Sequence, residues 1–174
     1  MENNTKTIWN IDATHSEINF KVKHMMISTV TGSFEKFDGK IESANADFIG
    51  AEFSFSAEIN SVNTKNNDRD NHLRSADFFE IEKHPELKFT SKSFDGNEML
   101  GDLTIKGITK EIRLATDYNG TAVDPYGQTK AGFELEGQIS RKEFGLTWSA
   151  VTEAGSVVVS DKVKLIASLQ FIKQ

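Results

Sequence analysis

The sequence predicts an all-β fold in which about eight antiparallel strands close into an up-and-down barrel, interrupted by one short helix. Most of the 174-residue chain alternates apolar and polar side chains with a period of two, which is typical of half-buried strands. Turn-forming residues separate these segments, so consecutive strands are expected to pair as hairpins. Closing the sheet into a barrel removes its exposed edges, and a β-sandwich is the alternative arrangement of the same strands.

Three strand regions are predicted in the first half of the chain. A short apolar segment around Trp9 precedes residues 18–24, in which every second residue shares one face: Ile18, Phe20, Val22 and His24. Alternation resumes over residues 30–41, with Asp38-Gly39 as a turn signal. Residues 48–62 are predicted to form one long strand whose inward face carries Phe53, Phe55, Ala57 and Ile59.

Further strands are predicted in the second half of the chain, over residues 87–94, 99–106, 108–118, 131–140 and 162–172. Asp95-Gly96-Asn97 and Lys106-Gly107 are interpreted as the tight turns between the first three of them. Asn119-Gly120 and residues 124–127 indicate a longer turn region before the fourth strand. A chain of this length is expected to form one domain, over residues 1–174.

Alternation stops over residues 64–79, which are polar and charged until their last few positions. Thr64 or Asn66 can serve as an N-cap, and acidic side chains follow in the first turns, where they favour a helix N-terminus. The sequence therefore predicts a short helical segment over residues 66–76, from Asn66 to Ala76. We expect this segment to lie across one end of the barrel as a lid.

Composition excludes several classes of function. The formal net charge is −6, and basic residues form no stripe of the kind that binds nucleic-acid phosphates. No run approaches the ~20 apolar residues of a membrane-spanning helix. The chain contains no cysteine, which excludes disulfides and thiolate ligands. The N-terminus has neither a basic start nor an apolar h-region, so no signal peptide is expected and a cytoplasmic location is predicted.

Phenylalanine dominates the aromatic content, with 13 Phe against two Trp and two Tyr. A phenyl ring supplies a large apolar surface with no polar group. The residues alone leave two uses open for these rings, because they can fill a packed core or line a cavity for an apolar ligand.

Several sequence motifs follow one another along nearly the whole chain. The first half carries Trp9-Asn10-Ile11-Asp12, His15-Ser16, Phe20-Lys21-Val22-Lys23-His24, Gly32-Ser33-Phe34 and Phe37-Asp38-Gly39. The most recognisable motif is Arg69-Asp70-Asn71-His72-Leu73-Arg74-Ser75-Ala76-Asp77-Phe78-Phe79. A central hairpin with Gly101-Asp102-Leu103-Thr104-Ile105-Lys106-Gly107-Ile108-Thr109 precedes Arg141-Lys142-Glu143-Phe144-Gly145-Leu146 and Trp148. Together these motifs resemble the YceI-like, polyisoprenoid-binding family.

The resemblance implies a lipocalin-like antiparallel barrel with a helix near one end and an apolar tunnel for an isoprenoid or similar lipid chain. Many members of that family are periplasmic and begin with a secretory signal. The side chains expected to line the tunnel are apolar: Phe20, Val22, Met25, Met26, Phe34, Phe53, Phe55, Leu73, Phe78, Phe79, Phe89, Leu103, Phe133, Phe144 and Trp148. Three polar side chains are expected near its mouth: Arg69, His72 and Lys142.

The polar residues do not favour catalysis or metal binding. The four histidines are scattered, and none is paired at the i, i+4 spacing of a helical metal site, so neither a metal nor another cofactor is expected. Asp70 and His72 admit two interpretations. They can belong to a network with Arg69 and Asp77 that ties the helix to the barrel, or they can act as acid and base.

The favoured hypothesis is a non-enzymatic lipid-binding protein that carries, stores or sequesters a polyprenyl lipid, a quinone or a prenyl phosphate. One alternative is an enzyme that acts on a lipid substrate through Asp70 and His72. The other is a packed barrel that serves as a protein-interaction domain. The expected partner is a long-chain lipid, nucleic acid is not expected to bind, and a homodimer is left open.

Overall fold

The computed structural model of the chain describes residues 5–148 and 158–174, and in these residues eleven strands form one antiparallel sheet. The strands are β1 (Thr7–Ile11), β2 (Glu17–His24), β3 (Ser28–Phe34), β4 (Phe37–Ser43), β5 (Glu52–Glu58), β6 (Val62–Asn63), β7 (Glu86–Phe94), β8 (Glu98–Ile105), β9 (Ile108–Val123), β10 (Thr129–Ser140) and β11 (Val159–Lys173). The chain also forms the helix α1 (Asn67–Arg74) and 3₁₀ turns at Ala13–His15, Ile59–Ser61 and Arg141–Phe144.

The sheet closes on itself because β1 pairs with β4 on one side and with β11 on the other. After the first 3₁₀ turn, β2 continues along β11, where Ile18 lies opposite Ala167. In the same way, β3 and β4 are successive segments of one strand, and so are β5 and β6. When each pair of segments is counted as one bent strand, the described residues form a closed eight-stranded antiparallel barrel. The fold class predicted from the sequence is confirmed.

Two of the predicted turns were wrong, and packing explains the first. Asp38-Gly39 lies inside β4, and the chain does not reverse there, because β3 and β4 run in the same direction as segments of one bent strand. Gly39 pairs with Phe55 on β5, and the ring of Phe55 leaves no space for a larger side chain at position 39. A Cβ atom at position 39 would approach Cδ1 of Phe55 to 2.9 Å, which is too close for ordinary packing.

The second wrong turn is Asn119-Gly120, which lies inside β9. The pairing of β9 with β10 shifts register between Gly132 and Phe133, so the extra residue is absorbed as a β-bulge. The other part of the predicted turn region, residues 124–127, was right: the chain reverses there, and the carboxylate of Asp124 accepts hydrogen bonds from the backbone N–H groups of Tyr126 and Gln128, both at 2.9 Å.

The long strand predicted over residues 48–62 was wrong at both ends. Phe48 lies in the connection between β4 and β5, in a left-handed conformation with φ of +64°. A 3₁₀ turn at Ile59–Ser61 separates β5 from β6 at the other end. The inward face of β5 was predicted correctly, because Phe53 and Ala57 are buried and Phe55 is half-buried.

The predicted helix is confirmed, with Asn66 as its N-cap. The side-chain oxygen of Asn66 accepts a hydrogen bond from the backbone N–H of Arg69 at 3.0 Å. The helix ends where Ser75 takes extended backbone angles and its hydroxyl donates to the carbonyl oxygen of His72 at 2.6 Å. Among the described residues, no helix has both the length and the apolar character required to cross a bilayer.

A half-buried ion pair connects the junction between β1 and β2 to β10, which lies on the other side of β11. Nζ of Lys130 lies 2.8 Å from Oδ2 of Asp12, and both side chains are largely shielded from solvent. Burial by itself would raise the pKa of Asp12. Hydrogen bonds from Lys130, Thr14 and His15 outweigh it and hold that pKa well below its usual value. The carboxylate of Asp12 therefore stabilises the folded state in its ionised form.

Candidate functional site

An apolar cavity lies inside the barrel, with walls contributed by all eight of its strands. The cavity and its mouth together contain about 710 Å³ of space that no protein atom fills, part of which is open to solvent. Fifteen of the sixteen lining residues are apolar: Ile18, Asn19, Phe20, Phe34, Phe55, Leu87, Phe89, Leu103, Ile105, Ile112, Leu114, Leu135, Leu165, Ile166, Ala167 and Leu169. Such a site can hold an apolar chain and offers almost no polar group to orient one.

Glycines on neighbouring strands keep the cavity open. The tip of the Phe20 ring packs against Gly32, its partner on β3, so that a Cβ atom there would come within 2.2 Å of Cζ of Phe20. Phe89 lies over Gly101 in the same way, with a corresponding distance of 2.4 Å. Because these rings rest on bare backbone, they lie along the barrel wall and leave the centre of the barrel free.

A cluster of aromatic rings closes one end of the cavity. We call it the floor cluster and define it as Trp9, Phe48, Phe53, Tyr118 and Phe133. The ring of Phe48 meets those of Trp9, Tyr118 and Phe133 with centroids 5.1, 5.2 and 5.1 Å apart. Phe48 comes from the β4–β5 connection and is 1% exposed, so this connection plugs the barrel at that end.

The segment from α1 to Ile81 covers the opposite end, and we call it the lid. Its helix is anchored by Asp70, a buried residue whose Oδ1 accepts hydrogen bonds from the backbone N–H and the hydroxyl of Thr64 at 2.8 and 2.5 Å. Arg69 adds two more bonds to Thr64, from Nε to the hydroxyl oxygen at 2.8 Å and from a terminal nitrogen to the carbonyl oxygen at 2.6 Å. These bonds tie the helix to the end of β6.

Two sets of aromatic contacts connect the lid to its surroundings. Phe79 meets Phe34 of the cavity wall edge to face, with centroids 6.1 Å apart. His72 packs against Phe78 and Trp148, with centroid distances of 5.0 and 4.8 Å. Nε2 of His72 also lies 3.0 Å from Oδ2 of Asp77, which fixes the orientation of the imidazole ring.

Arg141 holds the chain on both sides of residues 149–157. Its guanidinium donates to the carbonyl oxygens of Leu146 and Trp148 at 2.6 and 2.7 Å, and to those of Val159 and Ser160 at 3.1 and 2.9 Å. The residue is 3% exposed, and its burial lowers the pKa of the guanidinium. Arg141 thus positions Trp148 against the lid, although it contacts neither the lid nor the cavity itself.

The structure brings some of the predicted site residues together in the cavity and places others elsewhere. Five of them line the cavity: Phe20, Phe34, Phe55, Phe89 and Leu103. Phe53 and Phe133 belong to the floor cluster, and Leu73, Phe78, Phe79 and Trp148 pack in or against the lid. Val22 is half-buried on β2, and Phe144 is buried within the last 3₁₀ turn.

Three of the predicted residues are exposed and do not line the cavity. Met25 and Met26 form the exposed tip of the β2–β3 hairpin, because both take left-handed backbone angles that turn the chain there. Lys142 is exposed beside Arg141. Of the expected mouth residues, Arg69 has its guanidinium bonded to Thr64, and His72 packs with aromatic rings.

The largest group that sequence reasoning missed comes from the later strands. Leu87, Ile105, Ile112, Leu114 and Leu135 line the cavity, as do Leu165, Ala167 and Leu169 of β11. The period-two alternation that marked Phe20 and Phe55 was present in these strands as well. Counting every inward position, instead of favouring aromatic rings, would have identified them.

Comparison with known proteins shows similarity along most of the chain. Residues 9–171 match the family described as YceI-like domain. UPF0312 protein SERP2314 of Staphylococcus epidermidis is 39% identical over 166 residues, which is 95% of this chain and 97% of that protein. The chain therefore aligns with its relative over nearly the full length of both.

Two solved structures share the barrel. The YceI protein of Campylobacter jejuni is 33% identical, with a TM-score of 0.72 over 87% of this chain and 90% of that one. A polyisoprenoid binding domain from Saccharophagus degradans is 20% identical, with a TM-score of 0.67 over 95% of this chain and 98% of that one. At 20% identity the second likeness concerns the fold alone.

Proposed function

The chain belongs to the YceI-like family, and on that premise we propose that it binds the hydrocarbon chain of an isoprenoid or similar lipid inside its barrel. The resemblance inferred from the sequence motifs is confirmed by the family match. The single observation that carries the proposal is the cavity, whose lining is apolar at every position except Asn19. The Saccharophagus domain, which shares the fold, is described as binding a polyisoprenoid, and this agrees with the proposal.

The hydrophobic effect suffices to hold such a chain. Each buried methylene contributes roughly 0.8 kcal/mol, so about ten of them contribute roughly 8 kcal/mol before the cost of ordering the ligand is subtracted. That free energy corresponds to a dissociation constant near the micromolar range. A saturated or prenyl chain therefore needs no polar contact with the cavity wall for useful affinity.

We place the head group of the ligand at the lid end. The floor cluster fills the opposite end with rings, so a bulky polar group has no room there. At the lid end His72 is half-buried and Lys142 is exposed, so a cationic side chain is available for a phosphate. A polyprenyl lipid, a quinone and a prenyl phosphate are the candidate ligands.

The proposed role is carriage, storage or sequestration of the lipid. Catalysis by Asp70 and His72 has less support, because each residue is committed to another partner. Asp70 accepts hydrogen bonds from Thr64, and His72 bonds Asp77. Positions two residues apart on a helix also face different directions, so the two side chains are poorly placed to share a proton.

Native mass spectrometry of the purified protein, followed by solvent extraction, tests the proposal. The expected result is a stoichiometric adduct that releases a long-chain lipid, either as purified or after addition of polyprenyl phosphate or ubiquinone. Ala167→Phe, which places a ring inside the cavity, should abolish the adduct. Ser168→Phe adds the same ring to the exposed face of β11 and should leave the adduct intact.

The controls distinguish a blocked cavity from an unfolded protein. Both variants are compared with the wild type by circular dichroism and thermal unfolding before ligand is added. If folded wild type takes up no long-chain lipid, or if folded Ala167→Phe binds it as well as the wild type does, the cavity is not the binding site.

A further inference from the structure

The turn between β2 and β3 has an unusual composition for its geometry. Met25 and Met26 both take left-handed backbone angles, with φ of +52° and +58°. The backbone N–H of Ile27 donates to the carbonyl oxygen of His24 at 3.2 Å, which closes a β-turn with Met25 and Met26 at its two central positions. Turns with two left-handed central residues strongly prefer Asn-Gly, because Cβ crowds the backbone in this conformation, which glycine avoids and asparagine tolerates.

The apolar side chains of this turn gain little from burial inside the protein. Met26 is 66% exposed, Ile27 is 82% exposed and Met25 is 37% exposed. We call residues 25–27 the apolar tip. Three consecutive large apolar side chains, held in a strained turn and presented to solvent, indicate a surface that meets an apolar phase.

Basic side chains follow the apolar tip along the outer faces of β2 and β11. Lys21 lies directly opposite Lys164, and like charges in that position repel one another. Lys23 and Lys162 are exposed on the same two strands, nearer to the tip. Lys164 pairs with Glu136 at 2.6 Å, whereas no carboxylate of the described residues lies within ion-pair distance of Lys21, Lys23 or Lys162.

From this juxtaposition we propose that the apolar tip and the lysines of β2 and β11 dock the protein onto an anionic lipid bilayer. The tip enters the interface between head groups and acyl chains, and the lysines contact the phosphates of the lipid head groups. The formal net charge of −6 favours this orientation of the protein over others, because an anionic bilayer repels the acidic remainder of the protein surface. An anionic surface also relieves the repulsion between Lys21 and Lys164.

Docking in this way brings the lid end of the barrel close to the membrane. His24 lies opposite Val159 on β11, and the carbonyl of Val159 accepts a hydrogen bond from Arg141. Arg141 in turn holds Trp148, which packs on His72 of the lid. In this orientation a lipid could pass directly between the bilayer and the cavity, and this consequence rests on the proposed function. The docking itself requires no ligand.

Sedimentation with lipid vesicles tests the docking in the absence of added ligand. Vesicles contain either phosphatidylcholine alone or equal amounts of phosphatidylcholine and phosphatidylglycerol.

The double variant Met25→Asn with Met26→Gly installs the sequence that this turn prefers, so the fold is retained while the apolar tip is lost. Lys21→Gln with Lys23→Gln removes two charges. Tyr126→Ser is the matched control, since Tyr126 is 90% exposed in the β9–β10 hairpin at the other end of β10.

The wild type is expected to sediment with the mixed vesicles and to bind less well as salt is raised. The Asn-Gly variant should bind at least about ten-fold more weakly, and each lysine removed should weaken binding about five-fold. Tyr126→Ser should bind as the wild type does. The proposal is overturned if the wild type ignores the mixed vesicles or if the Asn-Gly variant binds them equally well. Native mass spectrometry of the same variants separates that failure from loss of the lipid cavity.

Discussion

The imidazole ring of His72 and the indole ring of Trp148 meet edge to face, with their centroids 4.8 Å apart. This contact joins the helix of the lid to the loop that follows the last 3₁₀ turn. The two residues are 76 positions apart in the chain, as their numbers show, so the contact exists only when both ends of the site are folded. It is a natural place to test whether the lid controls access to the cavity.

Replacing His72 with Ala should loosen the lid without unfolding the barrel. An aromatic pair contributes about 0.5–1.5 kcal/mol, and the variant loses the pairs of His72 with Phe78 and with Trp148. Tryptophan fluorescence should shift to the red, and acrylamide should quench it more strongly. His72→Phe keeps a ring at this position and should retain most of the wild-type signal. An unchanged spectrum in His72→Ala would show that Trp148 does not depend on the lid.

Removing the guanidinium of Arg141 should cost more stability than any change to its exposed neighbour. Arg141→Met leaves four carbonyl acceptors without their donor, and we expect a loss of about 2–4 kcal/mol in the free energy of unfolding. Arg141→Lys should recover little, because a single ammonium group cannot reach all four oxygens. Urea denaturation measures both variants, and Lys142→Met, expected to lie within about 0.5 kcal/mol of wild type, is the control.

Filling the space beneath Phe20 should narrow the cavity. In Gly32→Ala the new methyl group would lie where the ring now rests, so the ring must move toward the centre of the barrel. We expect a loss of about 1–3 kcal/mol in stability and weaker lipid binding. Gly132→Ala is the matched control, because its nearest neighbour would be 3.7 Å away. If the two variants retained lipid equally, the ring of Phe20 would not determine the size of the cavity.

Stability should fall in acid partly because of Asp12. The folded state lowers the pKa of this carboxyl, so its stabilising contribution is present at pH values above the unfolded pKa of about 4 and is lost as pH falls below it. Asp12→Asn should therefore be less stable than the wild type at pH 7, and the difference should shrink as pH falls toward 2. Thermal unfolding across this range measures it, and a constant difference would contradict the assignment.

Patterns in the amino-acid sequence were sufficient to predict the fold class, the helix with its Asn66 cap and the inward faces of most strands. These features depend on interactions between residues close in the chain. Alternation marks Ile18 and Phe20 as inward because successive side chains of any strand point to opposite sides. The cap of Asn66 acts on Arg69, three residues away. The family resemblance could likewise be recognised from motifs that stand in order along the chain.

The glycines that turn the chain and the residues that surround the cavity could be identified only from the folded structure. Gly39 belongs to a strand because the ring of Phe55 lies over it, and Phe48 plugs the barrel because rings from other strands surround it. Arg141 acquires its role from carbonyls on both sides of residues 149–157. Local sequence patterns do not show which distant strand packs against a given residue, because such contacts depend on how the barrel closes and on the register between strands. The open centre of the barrel depends on these long-range contacts, including the packing of the Phe20 ring against the backbone of Gly32.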